Sequence, residues 1–197
     1  MITERDREII NFIYDIGFIT IEQAGKLFFS ESKVSYDLAR RRLKKIATSS
    51  DYIKRFSNTE TKQIIYIPKD SKLKKLSKHN ILLIDYLAEL KGVGVDLEKI
   101  EIEKNFNGVI PDALISFTFG GYRYYQLLEV QLRHDYVDIN RFNKVLTDIL
   151  SVTNNVLPSI VVIQNTNKDY SKDNKTDMKV IRLNTALDDV VKVLLED

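Results

Sequence analysis

The segment Ser32 to Ala47, S-K-V-S-Y-D-L-A-R-R-R-L-K-K-I-A, concentrates the side chains most able to bind something. A rotation of about 100° per residue gathers Ala39, Leu43 and Ile46 on one side of a helix. Lys33, Asp37, Arg40, Arg41 and Lys44 then fall roughly opposite, Lys45 adds a further cation, and Tyr36 sits at the boundary. Guanidinium and ammonium groups repeated along one face suit a row of phosphate oxygens, and arginine also matches the acceptor pair of a guanine edge. Other chemistries find less support. Without cysteine there is no disulfide, thiolate metal site or cysteine nucleophile. Two isolated histidines, His79 and His134, make a poor zinc site. Tyr122, Tyr124 and Tyr125 are more simply strand packing than nucleobase stacking.

The basic helix needs neighbours to aim it, and the flanking residues supply them. Thr3 is an N-cap, with Glu4 and Asp6 in the first turn, and Gly17 stops the helix that carries Ile9, Ile10, Phe12, Ile13 and Ile16. Phe18 and Ile19 bridge to a second start, where Thr20-x-x-Gln23 has the form of a capping box and Ala24, Leu27 and Phe28 face inward. Ser30 or Ser32 is expected to cap the basic helix. Beyond it, residues 51–56 and 62–67 alternate like strands around the polar turn 57–61. Helix, helix, basic helix and hairpin is the layout of a winged helix-turn-helix, in which the third helix enters the major groove and the hairpin lies along the backbone. On that layout Lys33, Tyr36, Arg40, Arg41 and Lys44 face the groove, while Lys54, Arg55 and Lys62 reach phosphates from the wing.

The rest of the chain is of a different kind. Lys69 to Lys78 reads as a lysine-rich connection, and Ser77-x-x-Asn80 opens a helix that runs to Gly92. Strands are expected at 98–103, 113–119 and 124–131, with Gly120-Gly121 as a hairpin turn. A helix over 138–152, a buried strand after Pro158, a strand over 178–183 and a final helix from Thr185 to Leu195 complete the reading. Three antiparallel strands, a helical crossover and a returning strand resemble the core of the PD-(D/E)xK nuclease fold. Pro111-Asp112 opens the second strand and Glu129-Val130-Gln131 lies on the third, at the positions of that motif. The resemblance implies that Asp112 and Glu129 hold Mg2+ or Mn2+, which stabilises charge on a phosphate. It also implies a lysine at 131, and glutamine stands there instead, carrying no positive charge and unable to act as a base. Lys144 or Arg133 would have to substitute, with Asp85 or Glu89 as a third carboxylate. The plainer alternative is that Asp112 caps a turn and Glu129 pairs with a nearby base.

A broader resemblance covers most of the chain. M-I-T-E-R-D-R-E-I-I-N-F-I-Y-D-I-G-F-I-T-I-E-Q-A-G-K-L-F-F, the later A-R-R-R-L-K-K-I, the hairpin end I-I-Y-I-P, the helix H-N-I-L-L-I-D-Y-L-A-E-L, and P-D-A-L-I-S-F followed by L-L-E-V-Q are similar to the replication-relaxation family. Such proteins occur on bacterial plasmids, phages and conjugative elements. The resemblance implies a DNA-binding accessory in replication, relaxation or transfer, or a transcriptional regulator.

Charge distribution fits that division. Residues 1–79 hold 17 Lys+Arg against 10 Asp+Glu, and the remainder 13 against 18, giving +7 and −5 within the overall +2. A basic front and an acidic back point nucleic acid to the front alone. M-I-T-E-R-D-R-E lacks the apolar core of a signal peptide, and the run Ile81–Ile84 is too short to cross a bilayer, so a cytoplasmic protein without membrane contact is expected. The expected fold class is α+β with an α/β portion. A winged helix-turn-helix over 1–76 precedes a mixed-sheet, nuclease-like domain over 77–197 that is inactive and serves dimerisation or partner docking. The expected partners are double-stranded DNA, a second copy of the chain, and a relaxase or replication initiator. No cofactor is expected unless the alternative, a metal-dependent endonuclease using Asp112, Glu129 and Gln131, holds.

Overall fold

The computed structural model describes residues 2–59, 62–73, 75–133 and 136–195. They form a mixed α+β protein with two sheets, one of three antiparallel strands and one of five mixed strands. The chain divides into two compact units after Gly92.

In the first unit, α1 (Glu4–Ile16), β1 (Ile19–Thr20), α2 (Ile21–Phe28), α3 (Ser35–Ser49), β2 (Ile53–Ser57), β3 (Ile64–Pro68) and α4 (Lys78–Gly92) follow in order. The local signals act as the residues imply. Thr3 and Asp6 form a reciprocal capping box, Thr20 and Gln23 form another, and Gly17 closes α1 with a left-handed φ of 96°. The apolar stripe of α1 buries Ile9, Ile10 and Ile13. β1 was read only as a bridge, yet it pairs with β3, Ile19 opposite Tyr66, so the small sheet runs β1-β3-β2. The start of α3 differs from expectation. Its N-cap is Val34 with no side-chain cap, because Ser32 spends its hydroxyl on the Val34 N–H inside the turn. Lys33 therefore lies in the turn before the helix, not on its face.

The helix α4, placed by the sequence with the C-terminal residues, belongs to the first unit. It packs on α2 through defined polar contacts: the Gln23 amide donates to the Ile81 carbonyl at 3.1 Å and to the Asp85 carboxylate at 2.8 Å, and Lys26 pairs with Glu89. Gln23 is 1% exposed, so these bonds satisfy an amide that would otherwise be buried without partners. The unit boundary accordingly falls sixteen residues later than the end of the expected first domain, at Gly92 rather than residue 76.

The second unit holds β4 (Asp96–Ile102), β5 (Ala113–Phe119), β6 (Tyr122–Gln131), α5 (Leu146–Val152), β7 (Ser159–Gln164) and β8 (Val180–Leu183). The sheet order is β4-β5-β6-β7-β8, antiparallel through β6 and parallel from β6 to β8. Gly120 and Gly121 both have positive φ, 59° and 84°, which a two-residue hairpin of the primed type requires. One face of this sheet buries Leu114, Leu127, Ile160 and Val162 against Ile139, Phe142, Val145 and Ile149. Two helices expected from the sequence are shorter or tighter. Residues 139–145 are a 3-10 helix that becomes α-helical at Leu146. The C-terminal helix is a single 3-10 segment, Val190–Leu194, begun at Asp189 and not at Thr185, whose hydroxyl instead donates to Asn165.

Candidate nucleic-acid interface

Helix α3 buries Ala39, Leu43 and Ile46 and leaves Tyr36, Asp37, Arg40, Arg41, Lys44 and Lys45 exposed. Burying Leu43 alone contributes about 2 kcal/mol. That face anchors the helix and leaves the polar face unencumbered by packing. Asp37 organises it: Arg40 pairs with its carboxylate at 3.3 Å, and Arg41 donates from Nε to its carbonyl at 3.2 Å. Both contacts are exposed and cost little to exchange for a stronger anion.

The three consecutive arginines have different fates, which their letters do not reveal. Arg42 turns inward, forms a forked ion pair with Asp6 and donates to the Thr3 hydroxyl at 2.8 Å. Asp6 is 2% exposed. Burial pushes its carboxyl pKa up, but the hydrogen bonds from Arg42 and Thr3 together outweigh that and hold it below the usual value. The pair fixes α3 against the start of α1 and so sets the angle at which Arg40 and Arg41 leave the protein.

The hairpin brings a second group to the same place. Arg55 of β2 lies opposite Tyr66 of β3 in register. Burial raises the Tyr66 hydroxyl pKa, and the charges of Arg55 and Arg40 oppose that rise, with Tyr36 nearby as well. Tyr66, 3% exposed, thus joins the exposed face of α3 to the hairpin. It was not among the expected residues; the signal was its place in Ile65-Tyr66-Ile67, where alternation turns it away from both isoleucines. Lys62 is exposed with a left-handed φ of 58°, next to a turn whose Glu60 and Thr61 lie outside the described residues. Lys54 is half-buried and donates its ammonium to the Ser71 carbonyl at 2.7 Å.

The acidic pair of the second unit is brought to neighbouring strands. The Asp112 N–H donates to the Leu128 carbonyl at 3.0 Å, and its carboxylate accepts from the Val130 N–H at 2.6 Å, so Asp112 straddles Glu129 across the β5–β6 ladder. Glu129, 7% exposed, pairs with Arg141, which also donates to the Ile110 carbonyl at 3.2 Å. Gln131 accepts from the Arg133 N–H at 3.2 Å. Asp85 and Glu89 are engaged by Gln23 and Lys26 on α2. This donor set does not fit Mg2+ or Mn2+: one carboxylate is turned to backbone, the other is neutralised by a guanidinium, and the described residues contain no group of three acidic, histidine or cysteine side chains placed for a metal. His134 lies outside the described residues. Arg141, the base that Glu129 meets, was not expected, since nothing in a pattern of single letters links positions twelve residues apart on a 3-10 helix and a strand.

No family model matches this chain, and no curated protein matches it. Among the described residues no helix is long and apolar enough to cross a membrane.

Proposed function

We propose that this chain is a sequence-specific double-stranded-DNA-binding protein whose first unit is a winged helix-turn-helix. The observation that carries the reading is the convergence of Tyr36, Arg40 and Arg55 around Tyr66, which couples a basic helix face to a hairpin. The element order α1-β1-α2-α3-β2-β3, with β1 paired to β3, is the one such domains use. Arg40, Arg41 and Lys44 would enter the major groove, with Arg55 and Lys62 on the backbone. The resemblance to replication-relaxation proteins directs the biological role toward a bacterial mobile element, as an accessory of replication, relaxation or transfer or as a regulator, acting as a homodimer or with a relaxase or initiator.

The endonuclease reading is the weaker one, because the partners of Asp112 and Glu129 are the ones a structural role calls for. Titrating supercoiled plasmid in manganese buffer separates the two readings. Retardation without nicking is the expected result. An Arg40→Ala/Arg41→Ala variant should lose affinity and flatten the salt dependence by about two units of log K against log salt. Binding unchanged across several salt concentrations would remove α3 from the interface.

A further inference from the structure

The lysine-rich residues after the hairpin are not a loose connection. Three bonds tie them to β2 in step: the Lys69 N–H donates to the Tyr52 carbonyl at 2.9 Å, Lys54 donates to the Ser71 carbonyl, and the Asn58 amide donates to the Leu76 carbonyl at 3.1 Å. Residues 52, 54 and 58 thus meet 69, 71 and 76, so the segment runs beside β2 in the same direction and along its whole length. In the sheet order β1-β3-β2 that strand is an edge. An open edge invites pairing with other chains, and a covering segment removes that hazard. Leu76 is buried and Leu73 half-buried, while Lys69, Lys72 and Lys75 are exposed at every third residue. The anchor, Asn58, is wholly buried and also fixes the hairpin turn, accepting from the Lys62 N–H at 2.8 Å and donating to the Gln63 carbonyl at 3.0 Å.

We infer that residues 69–76 form a strap that carries Lys69, Lys72 and Lys75 as a second row of phosphate contacts on duplex DNA, outside the bases read by α3. The inference rests on the DNA-binding reading above. The strap's amines lie at a spacing of three residues along an extended chain, roughly 10 Å at about 3.3 Å per residue. Each amine can therefore meet a phosphate without competing with its neighbour for the same one. Lys69 pairs with Asp51 at 3.3 Å, but Asp51 is 96% exposed, and such a pair yields readily to a polyanion. The charges are fixed to the hairpin by Asn58 rather than carried on a free tether, so binding them to DNA need not order the chain again.

The test compares the full chain with a Lys69→Ala/Lys72→Ala/Lys75→Ala variant on a selected duplex site and on a scrambled duplex, across a salt series, with hydroxyl-radical footprinting. The expected result is a flattening of log K against log salt by about two to three units on both duplexes, with the ratio between them kept. Protection should disappear only from phosphates beside the site and remain within it. Equal melting temperatures of the two proteins would show that the fold is intact. A variant with wild-type slope and wild-type flanking protection overturns the strap and leaves the groove assignment standing. Failure of the wild-type protein to retard any duplex at low salt overturns both.

Discussion

Two ion pairs carry most of what single residues decide here, and they make opposite demands on the mutant. Asp6 is buried and paired with Arg42, whose side chain is about one quarter exposed. Replacing Asp6 with alanine leaves a guanidinium without its carboxylate and should cost about 3 kcal/mol in urea denaturation. Because the folded carboxyl pKa is lowered, the unfolded state binds more protons in the window below the ordinary value of 3.8. The stability the pair contributes is complete above that value and is lost as pH falls through the folded one. The wild type should therefore lose stability on acidification from about pH 5 to pH 3 more steeply than Asp6→Asn. Parallel pH curves would mean the pair adds nothing. Glu129 and Arg141 allow a sharper test. Arg141→Met strands a carboxylate that is 9% exposed and should cost about 3 kcal/mol, whereas the double change with Glu129→Gln should recover most of it. An Arg141→Met protein of wild-type stability that takes up Mn2+ in calorimetry would show instead that the guanidinium merely occupies a cation's place.

At the scale of elements, α2 is the piece that everything in the first unit leans on, and its chemistry predicts a second pH dependence of the other sign. Asp85 on α4 is desolvated, which raises its pKa more than the Gln23 hydrogen bond and Lys26 lower it, and Glu89 and Glu22 add to the rise. Here the folded state binds more protons than the unfolded one above the ordinary value of 3.8, so this contribution weakens as pH rises through that window. Asp85→Asn keeps an acceptor for Gln23 and removes the desolvated charge; its melting temperature should exceed the wild type at pH 7, with the gap closing on acidification. A lower melting temperature at pH 7 would mean the charge is held by Lys26 after all. Such elements were legible in the sequence to the extent that their signals are local. Thr3, Gly17, Thr20 with Gln23, and Gly120-Gly121 each act within four residues, and each stands where its spacing puts it. The basic face of α3 was legible for the same reason. What was not legible depends on partners far along the chain: Arg42 finding Asp6, Arg141 finding Glu129, and Lys54 finding Ser71. Thr185 failed as a cap because its hydroxyl had a distant partner in Asn165.

At the scale of the whole molecule, the placement of α4 changes where the chain can be cut. A break after residue 76 follows the composition shift, but it removes from α2 the helix that satisfies Gln23 and pairs Lys26. It also removes the backbone that follows Leu76, whose carbonyl anchors Asn58 and with it the hairpin turn. A break after Gly92 keeps all of these and keeps 18 Lys+Arg against 12 Asp+Glu, a net +6, in one piece, leaving the acidic remainder at −4. The difference matters because an amide buried without its partners costs roughly 1–3 kcal/mol, a large share of the stability of a domain this small. A fragment of residues 1–92 should therefore melt at a higher temperature than one of residues 1–76, and the shorter fragment should show the broader transition. If both bind duplex DNA, the longer should do so with the salt slope of the intact protein, since the strap and α3 are both in it. Equal melting of the two fragments would mean that α4 lends α2 no stability and that the composition boundary was the structural one.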